Sequence, residues 1–350
     1  MPVVGRLKIA AVLLACGLLP GCAAGAEPAL GRFQTAFVGS LDTVVRLTAY
    51  CTDSAEFDRA AELVKAELEQ ADRLFNRYRA DSELSRVNAG AGKGPVRTEP
   101  ALADAVDACR AWQARTPAVN VAMGGVLSLW HTAREAGAPP ADEAVAEAMR
   151  HVSMDAVLVT RDGDGAAVEL ADPAMSLDLG CVAKGLAAQT VADKLKESGL
   201  DRFLLDCGTS TLVCAGSPPG REGWTVAVSN PDASLNLSGA EKPPASLGQI
   251  TAEDICIATS GDYQKYFVKD GIPYTHILDA ATGLPASYVR AVTVLAPDAG
   301  TADFYSTALY AQPYEQARRL AEETPGLEAL WVFEDGSTAA TSGFVLEAVE

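Results

Sequence analysis

The segment Asp178-Leu179-Gly180-Cys181-Val182-Ala183-Lys184-Gly185 puts a carboxylate, glycines and a lysine where an extended run gives way to a helix. Glycine lets a backbone approach a ligand closely. A helix start offers free N–H groups to an anion, and Lys184 adds a point charge. Asp178 can accept from a ligand N–H or O–H. A turn, a helix cap and a solvated Lys184 explain the same residues. Ala258-Thr259-Ser260-Gly261-Asp262-Tyr263 closes an apolar strand. Its small hydroxyl residues and Gly261 can cradle a phosphate, or form an ordinary turn.

His276 is one of only three histidines. It stands in Tyr274-Thr275-His276-Ile277-Leu278-Asp279-Ala280-Ala281-Thr282-Gly283-Leu284-Pro285, between hydroxyl groups and an Asp. A general base near neutral pH is most often His, although a lone His is more often structural. His131, after Trp130, and His151, ending a helical stretch, have plain surface or core readings. In Ala302-Asp303-Phe304-Tyr305-Ser306-Thr307-Ala308-Leu309, a helix would set Asp303 and Thr307 one turn apart on one face. A carboxylate and a hydroxyl suit Mg2+, a hard cation that prefers oxygen ligands. An Asp cap with Thr307 bonded back to its own helix is the plainer alternative.

These residues need elements to hold them. Alternation and β-branching predict a strand over 43–50. Ser54 is expected to cap a long amphipathic helix, with Phe57, Ala61, Val64, Leu68, Ala71 and Phe75 on its core face. Further helices are expected over 101–115, 127–133 after a break at Gly124-Gly125, 142–151, 182–198 and 314–323. A hairpin joins 156–160 to 166–170. Short strands follow over 203–206, 224–228, 255–259, 292–296 and 330–333. Residues 230–250 hold Pro, Ser and Gly and read as a surface insertion. Early long helices and late clustered strands point to an α+β fold rather than strict βαβ alternation.

Composition bounds the function. Hydrophobic residues make up 49% and charged residues 21% of 350, an ordinary globular balance. The net charge of −18 repels phosphate backbones, so no nucleic-acid partner is expected. Beyond the N-terminus no apolar run approaches the ~20 residues that span a bilayer. Arg6 and Lys8, then an apolar stretch over 9–19, then Leu19-Pro20-Gly21-Cys22, form an export signal ending in a lipobox-like sequence. Residues 1–21 are read as a lipoprotein signal peptide, Cys22 as the acylated residue, 22–32 as a tether and 33–350 as one domain. A plain signal peptide cut at 23–26 is the alternative. The expected location is therefore the bacterial inner membrane facing the periplasm, or the outer face of the cell membrane. Cys51, Cys109, Cys181, Cys207, Cys214 and Cys256 form no CxxC pair and no zinc pattern. An exported chain could oxidise them, and their pairing is not readable from the sequence.

Taken together and in order, these segments resemble the ApbE family, the FAD:protein FMN transferases. Asp178–Gly185 is similar to the family's DLGGIAKG, and 259–263 to its TSGDY. Residues 276–283 resemble its HIxDxxTG, and 302–307 its AD-x-x-x-T. Upstream, Tyr78-Arg79, Asp81-Ser82-Glu83-Leu84 and Asn88 resemble its YxxxSEL…N segment. The resemblance runs from about 41 to 344. It implies an ApbE-like, T-fold-related α+β domain of two lobes, with mixed sheets and flanking helices, holding FAD in a cleft. Family members are typically exported lipoproteins. They move FMN from FAD onto a Thr or Ser of a membrane or exported redox protein, forming a phosphodiester and releasing AMP.

Carried over residue by residue, the resemblance implies that Tyr78 flanks a ring of FAD. Asp178 hydrogen-bonds FAD, Lys184 lies near it, and Leu41, Val119, Asn120, Thr259, Ser260 and Gly261 line its site. Mg2+ would be held by the Cys181 backbone carbonyl, Asp303 and Thr307, and His276 would take the proton of the acceptor hydroxyl. Cys181 stands where a second Gly is usual, Asn120 where Asp is common, and the family's Gly-Gly near 207–210 is degraded. Two other readings use the same residues. One is a Mg2+-dependent FAD pyrophosphatase giving FMN and AMP, against which Tyr78 leans. The other is a flavin-binding lipoprotein without catalysis, which leaves His276, Asp303 and Thr307 unexplained.

Overall fold

A computed structural model describes residues 30–39, 43–163, 165–208, 210–234 and 243–348. Leu41, the signal peptide and Cys22 lie outside the described residues. The chain opens with β1 (Gly31–Gly39) and β2 (Thr43–Cys51), then α1 (Ser54–Phe75), α2 (Glu83–Ala89), β3 (Val96–Thr98) and α3 (Pro100–Gln113). Next come α4 (Gly124–Ala136), α5 (Asp142–Met149), β4 (Val157–Asp162), β5 (Gly165–Leu170) and α6 (Ala183–Glu197). β6 (Phe203–Cys207), β7 (Thr211–Ala215), β8 (Trp224–Ser229), β9 (Ser246–Ala252) and β10 (Ile255–Gly261) follow. The last third holds β11 (Tyr266–Lys269), β12 (Ile272–Thr275), β13 (Ala291–Ala296), α7 (Ala299–Tyr310), α8 (Tyr314–Glu322), β14 (Glu328–Val332) and β15 (Thr338–Ala340).

The frame is an eight-stranded sheet in the order β1-β2-β6-β7-β10-β13-β14-β15. Among the described residues every ladder is antiparallel, and the parallel pairing is an isolated bridge between Met123 and Ser176. The alternation of β2 sends Val45, Leu47, Ala49 and Cys51 inward, all fully buried. That face meets α1, α6 and α7 in the main core. The opposite face is covered by the β8–β9 hairpin, where Trp224, Val226, Val228 and Ile250 pack on Cys214, Ile257 and Leu330. A third cluster joins α4 and α5 to the region around Leu278. Fixing α4 there places one helix opposite the main sheet across a cleft.

Three sequence expectations shift. Asp53, not Ser54, caps α1: its side chain accepts from the Glu56 N–H. A carboxylate suits the positive end of a helix dipole better than a hydroxyl. The insertion expected over 230–250 is not all surface loop, because β9 pairs with β8; the residues over 235–242 lie outside the described set. Gly31 and Arg32, assigned to the tether, already belong to β1. β1 is the sheet edge, and Phe33 stacks on Phe57 of α1 at 5.6 Å. All six described cysteines are free, five of them buried, so their conduct is that of small apolar residues.

Candidate active site

The cleft is a cavity of about 780 Å³, within the range of small-molecule sites. Tyr78, Val119 and Asn120 line one side; Asp178, Cys181 and Lys184 line the floor at the start of α6. Thr259 and Ser260 reach it from β10, His276 from the end of β12, and Asp303 and Thr307 from α7. Gly261 does not line the cavity; it is buried in β10 opposite Ala291, with the Tyr263 ring over it. Segments more than a hundred residues apart thus converge because β10 and β13 carry α7 across their face, while α6 packs on α7.

That last contact is unusually close. A Cβ on Gly185 would strike the Ala299 carbonyl and lie 2.6 Å from the Asp303 Cβ. The Gly185 N–H, one of the donors a helix start leaves unpaired, donates to Asp303 Oδ2 at 2.8 Å. Asp303 therefore caps α6 from another helix. Its Oδ1 meets Thr211 Oγ1 at 3.4 Å, a long contact. Burial pushes the Asp303 carboxyl up, against the pull of Lys184 and the Gly185 N–H. Lys184 itself donates to Ser210 Oγ. Thr307 Oγ1 lies 3.3 Å from Ser260 Oγ, and Ser260 Oγ 2.9 Å from Ser306 Oγ. Burial lifts the Cys181 thiol well above the usual range, so its sulfur stays protonated and only its backbone oxygen is a plausible hard-cation ligand.

The donors offered to a metal here are oxygens. One buried carboxylate, a hydroxyl and a backbone carbonyl, from residues that line the same cavity, are hard oxygen donors. They are too few to close a coordination sphere. That suits an ion that keeps waters and shares a ligand's phosphate oxygens. Among the described residues no cluster of three His, Cys, Asp or Glu side chains exists, so a soft-metal cage is not what the site offers. The residues present fit Mg2+.

His276 is held by backbone. Its N–H and its ring Nδ1 both lie 3.1 Å from the Lys265 carbonyl oxygen. A carbonyl only accepts, so the hydrogen bond assigns the proton to Nδ1 and leaves Nε2 with its lone pair. Burial pushes the imidazole down to about 4, with the Lys265 charge adding to the effect. The motif residues after it are structural. Asp279 Oδ1 accepts from Ala281 N–H at 2.8 Å, and Gly283 turns at φ 73. Asp262 likewise faces away, paired with Arg290 at 2.5 Å.

Sequence reasoning missed several wall residues. Arg77, Arg134 and Lys265 join Lys184 around the cavity, against the carboxylates Asp178 and Asp303. A chain of net charge −18 thus concentrates cations at one place. His131, given a plain reading, lines the wall and packs against the Tyr78 ring at 4.8 Å, tilted by 34°. The signal was present: Met123, Leu127, His131 and Arg134 form a helical stripe. Taking Gly124-Gly125 as a break hid it, whereas these residues open α4. Trp130, in the same helix, donates to the Gly283 carbonyl at 2.8 Å and ties α4 to the turn after His276.

Comparison with known proteins places this arrangement. The sequence profile described as the ApbE family matches residues 41–331. The chain belongs to the ApbE family. A relative from Treponema pallidum (strain Nichols), named FAD:protein FMN transferase, is 30% identical over 318 residues, covering 87% of this chain and 86% of the relative. One of the same name from Klebsiella pneumoniae (strain 342) is 28% identical over 334 residues, covering 93% and 92%. The crystal structure of the ApbE protein of Thermotoga maritima superposes with a TM-score of 0.77 at 25% identity, covering 89% of this chain and 97% of that one. The flavin transferase ApbE of Vibrio cholerae gives 0.72 at 25% identity, covering 90% and 99%. The α+β architecture inferred from the motifs is therefore the family's.

Proposed function

We propose that this ApbE-family chain is a Mg2+-dependent FAD:protein FMN transferase acting on a Ser or Thr hydroxyl of a membrane or exported redox protein. The observation that carries it is His276: its Nδ1 is tied to the Lys265 carbonyl, on the same cavity as Asp303, Thr307 and the start of α6. An acceptor hydroxyl at Nε2 loses its proton to the ring as its oxygen attacks the phosphorus on the FMN side of the pyrophosphate. The bond from that phosphorus to the bridging oxygen breaks, and AMP leaves with the electron pair. Positioned proton removal contributes roughly 10²–10⁴-fold. Asp303, Thr307 and the Cys181 carbonyl would hold Mg2+, which would supply charge neutralisation on the pyrophosphate. Lys184, Arg134 and Lys265 add fixed positive charge to the same cavity, and the Gly185 N–H keeps Asp303 in place.

Tyr78, packed at a tilt against His131 at the rim, offers a platform for a ring of FAD, with Val119 and Asn120 beside it. Asp178 accepts from FAD, and Thr259 and Ser260 stand near the phosphates. Export and acylation at Cys22 would bring the enzyme to acceptors at the membrane surface; a Cys22→Ser chain that still incorporates labelled fatty acid argues against this anchor. The activity is tested by chromatography of FAD incubated with the chain and Mg2+, with and without an acceptor domain. AMP produced only when acceptor is present supports transfer. Equal FMN and AMP without acceptor would make the chain a pyrophosphatase instead, and intact FAD in both arms would leave a flavin-binding protein.

A further inference from the structure

Arg77 follows α1 in a loop and precedes Tyr78 in the chain, and its side chain is nearly enclosed, at 12% exposure. Its guanidinium makes three contacts on two other segments. Nη1 donates to the Gly124 carbonyl at 2.7 Å and to Asp178 Oδ2 at 3.2 Å, and Nη2 donates to Ser128 Oγ at 2.7 Å. Asp178, exposed to 9%, spends its other oxygen on the Gly180 N–H at 2.7 Å, which shapes the turn into α6. Position 124 is built around this reach: a Cβ there would lie 2.7 Å from Arg77 Nη1 and 2.6 Å from the Ser176 carbonyl. One planar fork therefore joins the loop bearing Tyr78, the first turns of α4 and the carboxylate before Cys181. All three segments line the cavity.

We infer that Arg77 is a positioning residue for the nucleotide, acting through Asp178: it fixes which way the carboxylate points and how far α4 stands from the α6 turn. The inference rests on the proposed contact between Asp178 and FAD. A planar fork can serve two carbonyl-type acceptors and a hydroxyl at fixed angles, whereas a lysine ammonium at the same place is a single point charge. A carboxylate that loses its partner in an enclosed site turns toward other donors or water.

The test is a double-mutant cycle on FAD affinity, read by flavin fluorescence in Mg2+, with thermal melting of each chain. Arg77→Gln is expected to weaken FAD binding about tenfold or more, as truncating one partner of an enclosed charge pair does. Asp178→Asn is expected to do the same. The double variant should bind within about twofold of Asp178→Asn alone, because one residue works through the other. Arg77→Lys should fall between wild type and Arg77→Gln, and it serves as the informative variant if Arg77→Gln does not fold. Effects that multiply in the double variant would overturn the inference, and so would unchanged FAD affinity in Arg77→Gln beside a weakened Asp178→Asn. A melting temperature that falls without any change in FAD affinity would mean a merely structural arginine. If Asp178→Asn itself binds FAD normally, the proposed nucleotide contact fails first, and the inference with it.

Discussion

Gly185→Ala separates two opposed effects at one atom. In an ordinary helix the change would help, because Ala is favoured over Gly by roughly 1 kcal/mol. Here the new Cβ lies 2.6 Å from the Asp303 Cβ and against the Ala299 carbonyl. Ordinary contact begins at 3.4 Å, so α7 must retreat by at least about 0.8 Å at Asp303 and by more at the Ala299 carbonyl, which lies closer still. Overpacking of this kind costs about 1–3 kcal/mol, which cancels or exceeds the propensity gain. The net change in stability is therefore small, at most about 2 kcal/mol of loss. The metal should feel far more, because ligand distances tolerate only about ±0.2 Å. The Mg2+ concentration for half-maximal AMP release should rise about 10–100-fold, the scale seen when a ligand's supporting contact is disturbed. A Mg2+ titration of AMP release in the presence of acceptor, alongside thermal melts, reads both quantities. An unchanged Mg2+ midpoint with a raised melting temperature would refute the reasoning: helix propensity would have won, and Asp303 would not be holding the ion.

Other outcomes follow from the same geometry. His276→Ala should retain FAD affinity and lose about 10²–10⁴-fold in transfer rate, checked by equilibrium binding beside single-turnover transfer. Because burial holds the His276 imidazole down to about 4, the ring of the ligand-free chain should remain neutral from pH 8 down to about 5; a ring NMR resonance titrating near 6.5 would contradict this. The sign for stability is a loss on acidification: the unfolded ring binds its proton below about 6.5 and the folded ring only near 4, so that contribution weakens between those values. Trp130→Phe removes the donor to the Gly283 carbonyl. It should destabilise by about 1–3 kcal/mol, seen in urea unfolding, and lower the transfer rate by loosening the turn after His276.

Local patterns were legible where one physical rule dominates. The helical period of Phe57, Val64 and Leu68 reports a single buried face, and α1 is where it was expected. The alternation of Val45, Leu47 and Ala49 does the same for β2. β1 was hidden because an edge strand buries its alternate residues only halfway, so its alternation gave no strand signal and its first residues, Gly31 and Arg32, fell to the tether. Asp178, Lys184, Thr259, Ser260, His276, Asp303 and Thr307 were legible as motifs, but not the contacts between them. Nothing in the spacing of Gly185 and Asp303 says that one caps the other's helix. Arg77 and Lys265 carry no local signature at all, since their roles arise from partners far along the chain or from a backbone carbonyl. Asp262 and Asp279 show the converse: both belong to motifs, yet Asp262 pairs through Oδ2 with Arg290, and Asp279 accepts from the Ala281 N–H and the Tyr288 hydroxyl.

The central claim is that a protein hydroxyl, not water, receives the FMN with His276 as base. Intact-protein mass spectrometry of an acceptor domain after incubation with this chain, FAD and Mg2+ tests it most directly. The account predicts a mass gain of one FMN less one water on the acceptor, absent with EDTA and in His276→Ala. An acceptor of unchanged mass with FMN accumulating in solution, or full modification by His276→Ala, would contradict it.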